Sequence, residues 1–131
     1  MSPPVQSREA AHRFGLRAET WATWLLRLKG YRILARRYRR AGGEIDIIAR
    51  QRGIVAFVEV KARDDMESAL SAITKLKRRR MSRAARAWVG QNQWAMQATL
   101  RADAIFVAPG HWPRHEPNAF ELDFDERGAG A

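Results

Sequence analysis

Two short apolar runs carry charged residues where a strand would bury them. Gly43-Glu44-Ile45-Asp46-Ile47-Ile48 is followed, after a short polar break, by Val58-Glu59-Val60-Lys61-Ala62-Arg63. β-Branched and aliphatic residues dominate both segments, so each reads as a β-strand. A charge inside a strand costs free energy unless it is paired or ligates something. The strands must therefore meet in a way that brings these charges together.

Glu44 to Ala49 and Ile54 to Lys61 are predicted to pair as a hairpin around Arg50-Gln51-Arg52-Gly53. Side chains alternate with period two, so Glu44, Asp46 and Ile48 share one face. Val55, Phe57, Glu59 and Lys61 share one face of the other strand. If Ala49 pairs with Ile54, Asp46 stands opposite Phe57 and Glu44 opposite Glu59. Asp46 and Glu59 are then diagonal neighbours, roughly 7 Å apart, within reach of a shared ion. A one-residue slip would send them to opposite faces.

The remaining elements can be placed around this hairpin. Ser7 to Lys29 reads as an amphipathic helix with Phe14, Ala18, Trp21, Leu25 and Leu28 along one stripe. Glu19 lies beside that stripe, where a solvated glutamate would stand. Tyr31 to Arg40 reads as a first strand with a basic end, and Ala41-Gly42-Gly43 as a turn. Met66 to Val89 reads as a second helix, with Met66, Leu70, Ile73, Leu76, Met81, Ala84 and Trp88 as its apolar positions and Gly90 as its stop. Leu100 to Val107 is predicted as a fourth strand containing Asp103, Pro109 to Pro117 as a loop, and Asn118 to Phe124 as a short edge strand. The order α-β-β-β-α-β gives an α/β fold with a mixed β-sheet flanked by helices. With 131 residues the chain suffices for one domain with one core; residues 1–6 and 127–131 are expected to be flexible tails.

The net charge of +10 points to a polyanionic partner, with nucleic acid first and an anionic membrane surface second. The basic residues cluster. Arg36, Arg37, Arg39 and Arg40 crowd the end of the first strand, Arg63 follows the third, and Lys75, Lys77, Arg78, Arg79 and Arg83 crowd the second helix. All are candidates for phosphate contacts. No run reaches the length of a membrane span, no apolar secretion signal is evident, and cysteine is absent. These features fit a cytoplasmic protein and exclude thiolate metal sites. His111 and His115 are four apart, but Pro113 between them breaks the helical geometry a zinc pair would need.

Asp46 and Glu59 suit a magnesium ion, which is commonly held by one or two carboxylates and keeps several positions for water and substrate. Mn²⁺ would suit the same ligands, and the carbonyl of Val60 can add a further one. Lys61 can orient or deprotonate a water, or neutralise developing charge. Its ammonium also lowers the cost of grouping the carboxylates. Glu44 is read as a supporting residue. The competing reading is a structural salt bridge among Asp46, Glu59 and Lys61.

The two runs resemble the signature of the YraN-like family of predicted endonucleases. These are small bacterial proteins distantly similar to archaeal Holliday-junction resolvases, within the PD-(D/E)XK nuclease superfamily. The resemblance extends from about Gly15 to Val107 and takes in Gly15 through Glu19, Gly30-Tyr31, Lys77, and Arg101 with Asp103. It implies a restriction-endonuclease-like core and a metal site of Asp46, Glu59 and Lys61. By analogy with the resolvases it also brings Glu19 to that site and makes a homodimer an expectation. The chain departs from the pattern in lacking a glycine around Met66 to Ser68 and in having Ile45 where the superfamily's proline would precede Asp46.

The expected function is thus a metal-dependent endonuclease acting on DNA, with branched or otherwise structured DNA as the implied substrate. The alternative is a nucleic-acid-binding protein without turnover.

Overall fold

A computed structural model describes residues 5–65, 67 and 73–124. Helix α1 (Val5–Leu28) leads into three consecutive antiparallel strands, β1 (Arg32–Arg40), β2 (Gly43–Gln51) and β3 (Ile54–Ala62). Helix α2 (Lys75–Gln91) and a 3₁₀ turn (Gln93–Gln97) lie between β3 and β4 (Thr99–Val107). Strand β4 runs parallel to β3, and β5 (Arg114–Phe120) closes the sheet antiparallel to β4. The sheet is therefore mixed, in the order β1-β2-β3-β4-β5, and the α-β-β-β-α-β succession matches the α/β layout expected from the sequence.

The two helices divide the core between them. On the α1 side, Ala18, Ala22 and Leu26 meet Ile47, Ala49, Ala56, Val58, Ile105 and Val107. On the α2 side, Ala84, Ala85 and Trp88 meet Ile45, Ile48, Val55 and Phe57. Strand β3 is covered on both faces, which explains its nearly unbroken apolar run. Small alanines on each helix let the backbone approach the sheet. Gly43 is the extreme case: a Cβ there would stand 1.9 Å from the carbonyl oxygen of Arg80. The start of β2 is thus in direct contact with the α2 backbone.

Several expectations are corrected. The buried stripe of α1 is Ala18, Ala22 and Leu26, with Leu25 partly buried, whereas Trp21 and Leu28 are 57% and 83% exposed. Tryptophan and leucine on a helix suggested a core stripe, but the sheet selects the face whose small residues fit closely. Residues 66 and 68–72 lie outside the described residues, so the expected start of the second helix at Met66 lies there too. Ile73 is not helical, and α2 begins at Lys75 with the Thr74 side chain capping the Lys77 N–H at 3.2 Å. Leu76 is exposed and not part of the core. Gly90 falls inside the helix, which ends at Gln91 with Asn92 as its C-cap.

The edge strand covers Arg114–Phe120 and not Asn118–Phe124. Pro117, at the end of the predicted loop, falls inside this strand, where the edge position tolerates a proline beside a register shift between Ala102 and Ala104. At that irregularity the Asn118 N–H donates to Asp103 Oδ1 at 2.9 Å. Of the expected tails, residues 1–4 and 127–131 lie outside the described residues, while Val5 and Gln6 already belong to α1.

Asp103 is fully buried and fully occupied. Arg101 donates to both of its oxygens at 2.7 and 2.8 Å, and His115 Nε2 lies 2.8 Å from Oδ2. Lys29 Nζ stands 2.6 Å from His115 Nδ1 and can only donate, which places the imidazole proton on Nε2, facing Asp103. Arg101 also reaches the Tyr31 hydroxyl. Burial alone would raise the Asp103 pKa, but the hydrogen bonds from His115, Arg101 and the Asn118 backbone outweigh it and hold it low.

Two predictions follow from this packing. Gly43→Ala is expected to destabilise the protein by about 1–3 kcal/mol through overpacking, read as a lower denaturant midpoint. Asp103→Ala is expected to cost about 2–4 kcal/mol at neutral pH, because it leaves the half-buried Arg101 without its carboxylate. With a folded pKa below the unfolded one, the Asp103 contribution is present above the unfolded value and lost as the pH falls through the folded one. Urea titrations of wild type and variant should therefore converge in strong acid.

Candidate metal centre

The β2–β3 ladder is regular from Gln51↔Ile54 to Ile47↔Val58 and goes no further. The turn is tighter than expected, with Arg52 at φ 54, and pairing is displaced two residues from Ala49–Ile54. A two-residue displacement preserves the faces. Carried on past Ile47↔Val58, it sets Asp46 level with Glu59 and Glu44 level with Lys61.

Where the ladder ends, the Asp46 side chain takes over. Its Oδ2 accepts the Val60 N–H at 2.8 Å, so a carboxylate oxygen stands where a strand carbonyl otherwise would. The strict alternation expected of β2 is interrupted here. Ile45 and Ile48 both pack on the α2 side, with Ile47 on the α1 side between them. Asp46 is thereby fixed at the parting of two strands.

Glu59 is the most deeply buried member, 1% exposed. Its Oε1 receives Lys61 Nζ and Lys77 Nζ, each at 3.1 Å. Its Oε2 is buried and has no hydrogen-bond partner. Lys77 also donates to Glu44 Oε1 at 2.9 Å, and Arg39 Nε lies 3.3 Å from Glu44 Oε2. Lys61 and Glu59 sit on the same face of β3, as period two predicted. Glu44 and Glu59 thus share Lys77 between them.

The electrostatics follow from this grouping. Burial, and then the neighbouring Glu59 charge, push Asp46 up to about 7 despite the Val60 hydrogen bond. The Lys77 hydrogen bond holds Glu44 below the usual carboxylate range, against a smaller opposing effect of burial. Burial would lower Lys77, but the Glu59 charge and the Glu44 hydrogen bond outweigh it and hold it raised.

Lys77 was expected to face a phosphate backbone and instead lies inside the carboxylate cluster. A signal for this was present in the sequence. Lys75, Lys77 and Arg78 fall in the first turn of α2, which contains no acid, and cations there oppose the helix dipole. Placing the helix start near Met66 hid that anomaly.

Glu19 is not the solvated residue that its position beside a stripe suggested. It is 9% exposed, and both carboxylate oxygens lie 3.2 Å from Arg37 Nε. Arg37 has φ 51 and falls between the pairs Arg36↔Ile47 and Tyr38↔Ile45, hence level with Asp46. Glu19 thus reaches the level of the site from the α1 side, with its oxygens held by Arg37. Among the described residues no group of three carboxylates or imidazoles stands in metal-binding geometry.

The other expected phosphate contacts form an exposed basic rim. Arg36, Arg39, Arg40, Arg63, Lys75, Arg79 and Arg83 are exposed, while Arg78 is half-buried. Arg39, Arg40 and Arg80 border a groove of about 480 Å³ that also contains Gly42, Gly43 and Glu44. This groove joins the rim to the carboxylate cluster through Glu44.

The donor set fits a small hard cation. Two carboxylates adjoin, one buried oxygen has no hydrogen-bond partner, and burial, then the neighbouring Glu59 charge, raises the Asp46 pKa. A divalent ion would relieve both conditions and would leave most of its coordination to water.

This arrangement belongs to an α/β protein in which acids and lysines gather where two strands part. The chain is a member of the UPF0102 family, described as an uncharacterised protein family, whose profile matches residues 18–107. That is the YraN-like family whose signature the two charged runs resemble. A UPF0102 protein of Methylorubrum extorquens (strain PA1) is 56% identical over 126 residues, covering 94% of this chain and 98% of its own. A UPF0102 protein of Methylocella silvestris is 56% identical over 92% of this chain and 97% of its own. A relative from Rhodopseudomonas palustris (strain BisA53) is 49% identical over 91% and 92%.

The raised Asp46 pKa gives a directional test. The folded protein binds a proton that the unfolded chain releases, so metal-free stability falls as the pH rises from about 4 to about 7. Asp46→Asn keeps an oxygen for Val60 and removes the charge. Without divalent metal it is expected to melt above wild type at about pH 8 and level with it near about pH 4, by thermal denaturation.

Proposed function

We propose that the protein is a metal-dependent endonuclease that hydrolyses phosphodiester bonds in DNA, with branched or otherwise structured DNA as its substrate. The observation that carries this reading is the buried Glu59 Oε2, which lacks a partner beside an Asp46 carboxyl raised by burial and then by the Glu59 charge. A purely structural salt bridge would use both oxygens of a buried carboxylate.

Asp46, Glu59 and the Val60 carbonyl would hold Mg²⁺ or Mn²⁺. Such an ion supplies Lewis acidity for the phosphoryl oxygens and lowers the pKa of water. The Val60 N–H orients Asp46. Lys61, 16% exposed, is the residue that meets a reacting phosphate and neutralises its developing charge. Lys77 holds Glu59 Oε1 and Glu44 together and so keeps Oε2 directed away from the lysines. Glu19 joins only if Arg37 releases it. The groove bordered by Arg39, Arg40 and Arg80 supports a phosphate backbone leading to the cluster. A homodimer would suit a junction, which presents two strands to cut. The absence of a third metal-binding side chain among the described residues favours, as the second reading, a nucleic-acid-binding protein without turnover.

Junction, flap, single-stranded and duplex substrates should be incubated with and without Mg²⁺ or Mn²⁺. Metal-dependent cleavage of at least one is expected, with Asp46→Ala, Glu59→Ala and Lys61→Ala each slowing it by about 10²-fold or more. Activity of Asp46→Ala equal to wild type on every substrate cut would overturn the assignment, as would no cleavage of any. Salt-dependent binding that persists without turnover would favour the second reading.

A further inference from the structure

The outer face of α1 is left unexplained by the metal centre. Trp21, Trp24 and Leu28 recur at three- and four-residue spacing and form one stripe. They are 57%, 55% and 83% exposed. With Arg17 and Thr20 they line a shallow groove of about 510 Å³. The Arg27 guanidinium lies over the Trp24 ring at 5.6 Å from its centroid.

We propose that this face binds a single-stranded segment of nucleic acid, its unpaired bases stacking on Trp21 and Trp24 and its phosphates meeting Arg17 and Arg27. Charge selects the occupant. From Arg17 to Leu28 the only acid is Glu19, which is buried against Arg37. A second copy docked on this face would set arginine against arginine, and like charges across an interface are costly. A polyanion meets no such barrier. Duplex DNA offers phosphates but keeps its base faces stacked inside, whereas unpaired bases offer π-faces to exposed rings.

Along the helix, Trp21 to Leu28 spans about 10 Å, room for a short run of stacked bases. The choice of nucleic acid over an anionic lipid surface rests on the endonuclease reading, and the tests separate the two.

Binding should be measured by fluorescence anisotropy in EDTA, so that cleavage does not intervene, with a labelled oligothymidine of about 20 nucleotides and a duplex of equal length. Trp21→Ala/Trp24→Ala is expected to weaken single-strand binding about tenfold or more while moving duplex binding less than about threefold. Trp21→Phe/Trp24→Phe should restore most of the affinity. Unaltered oligothymidine affinity in the alanine pair would overturn the proposal, as would an equal loss on duplex. It would also be overturned if the alanine pair kept oligothymidine binding but lost either a dimer in light scattering or binding to phosphatidylserine vesicles.

If the alanine pair fails to fold, Arg17→Glu/Arg27→Glu serves as the second variant, with the same loss expected and unchanged affinity contradicting the proposal. Tryptophan-dependent single-strand binding with no Asp46-dependent cleavage would sink the endonuclease reading and leave this one standing. Asp46-dependent cleavage with tryptophan-independent binding would do the reverse.

Discussion

The Asp46 carboxylate replaces a backbone acceptor at the point where β2 and β3 part, and the rest of the site depends on that substitution. By taking the Val60 N–H at 2.8 Å, Asp46 satisfies a donor that the ended ladder would leave open. It is also fixed beside Glu59. Two acids so placed repel each other, and burial amplifies the repulsion. Lys61 and Lys77 compensate from one side only, both at Glu59 Oε1. The other oxygen and the raised Asp46 carboxyl describe a place that lacks positive charge.

The fold supplies that geometry through close packing. Gly43 lets α2 rest directly on the start of β2, which brings Lys77 into reach of Glu44 and Glu59. The alanine face of α1 lies against the opposite side of the sheet and carries Glu19 to the level of Asp46 through Arg37. On the far side of β4, the Asp103 network with Arg101 and His115 binds the edge strand to the core. It shows what a buried carboxylate looks like when its oxygens are all engaged. Glu59, with one oxygen unpartnered, contrasts with it in the same sheet.

Part of this was legible in the residue pattern because period two holds along β3 and survives an even error of register, although the alternation of β2 breaks between Ile45 and Ile48. The expected register was displaced by two, yet Glu59 and Lys61 still share a face and Asp46 still meets Glu59. What was not legible depended on tertiary choices. Nothing local says that α1 buries Ala18, Ala22 and Leu26 and leaves Trp21 and Trp24 in solvent, because both stripes have helical spacing. The role of Lys77 was hidden by an incorrect helix start, and Glu19 by the convention that a glutamate beside an apolar stripe is solvated. Pro117 falls inside a strand that an irregular sheet edge accommodates. Asp103 is legible as a strand residue, but its partner His115 lies twelve residues on, across a loop, and nothing local joins the two.

The central claim is that Asp46 and Glu59 together form a divalent-cation site. Calorimetric titration of the metal-free protein with Mn²⁺, in parallel with Asp46→Ala, tests it most directly. The account predicts one saturable site in wild type that is abolished or weakened by at least about tenfold in the variant. Equal Mn²⁺ binding in both proteins, or none in wild type, would contradict it.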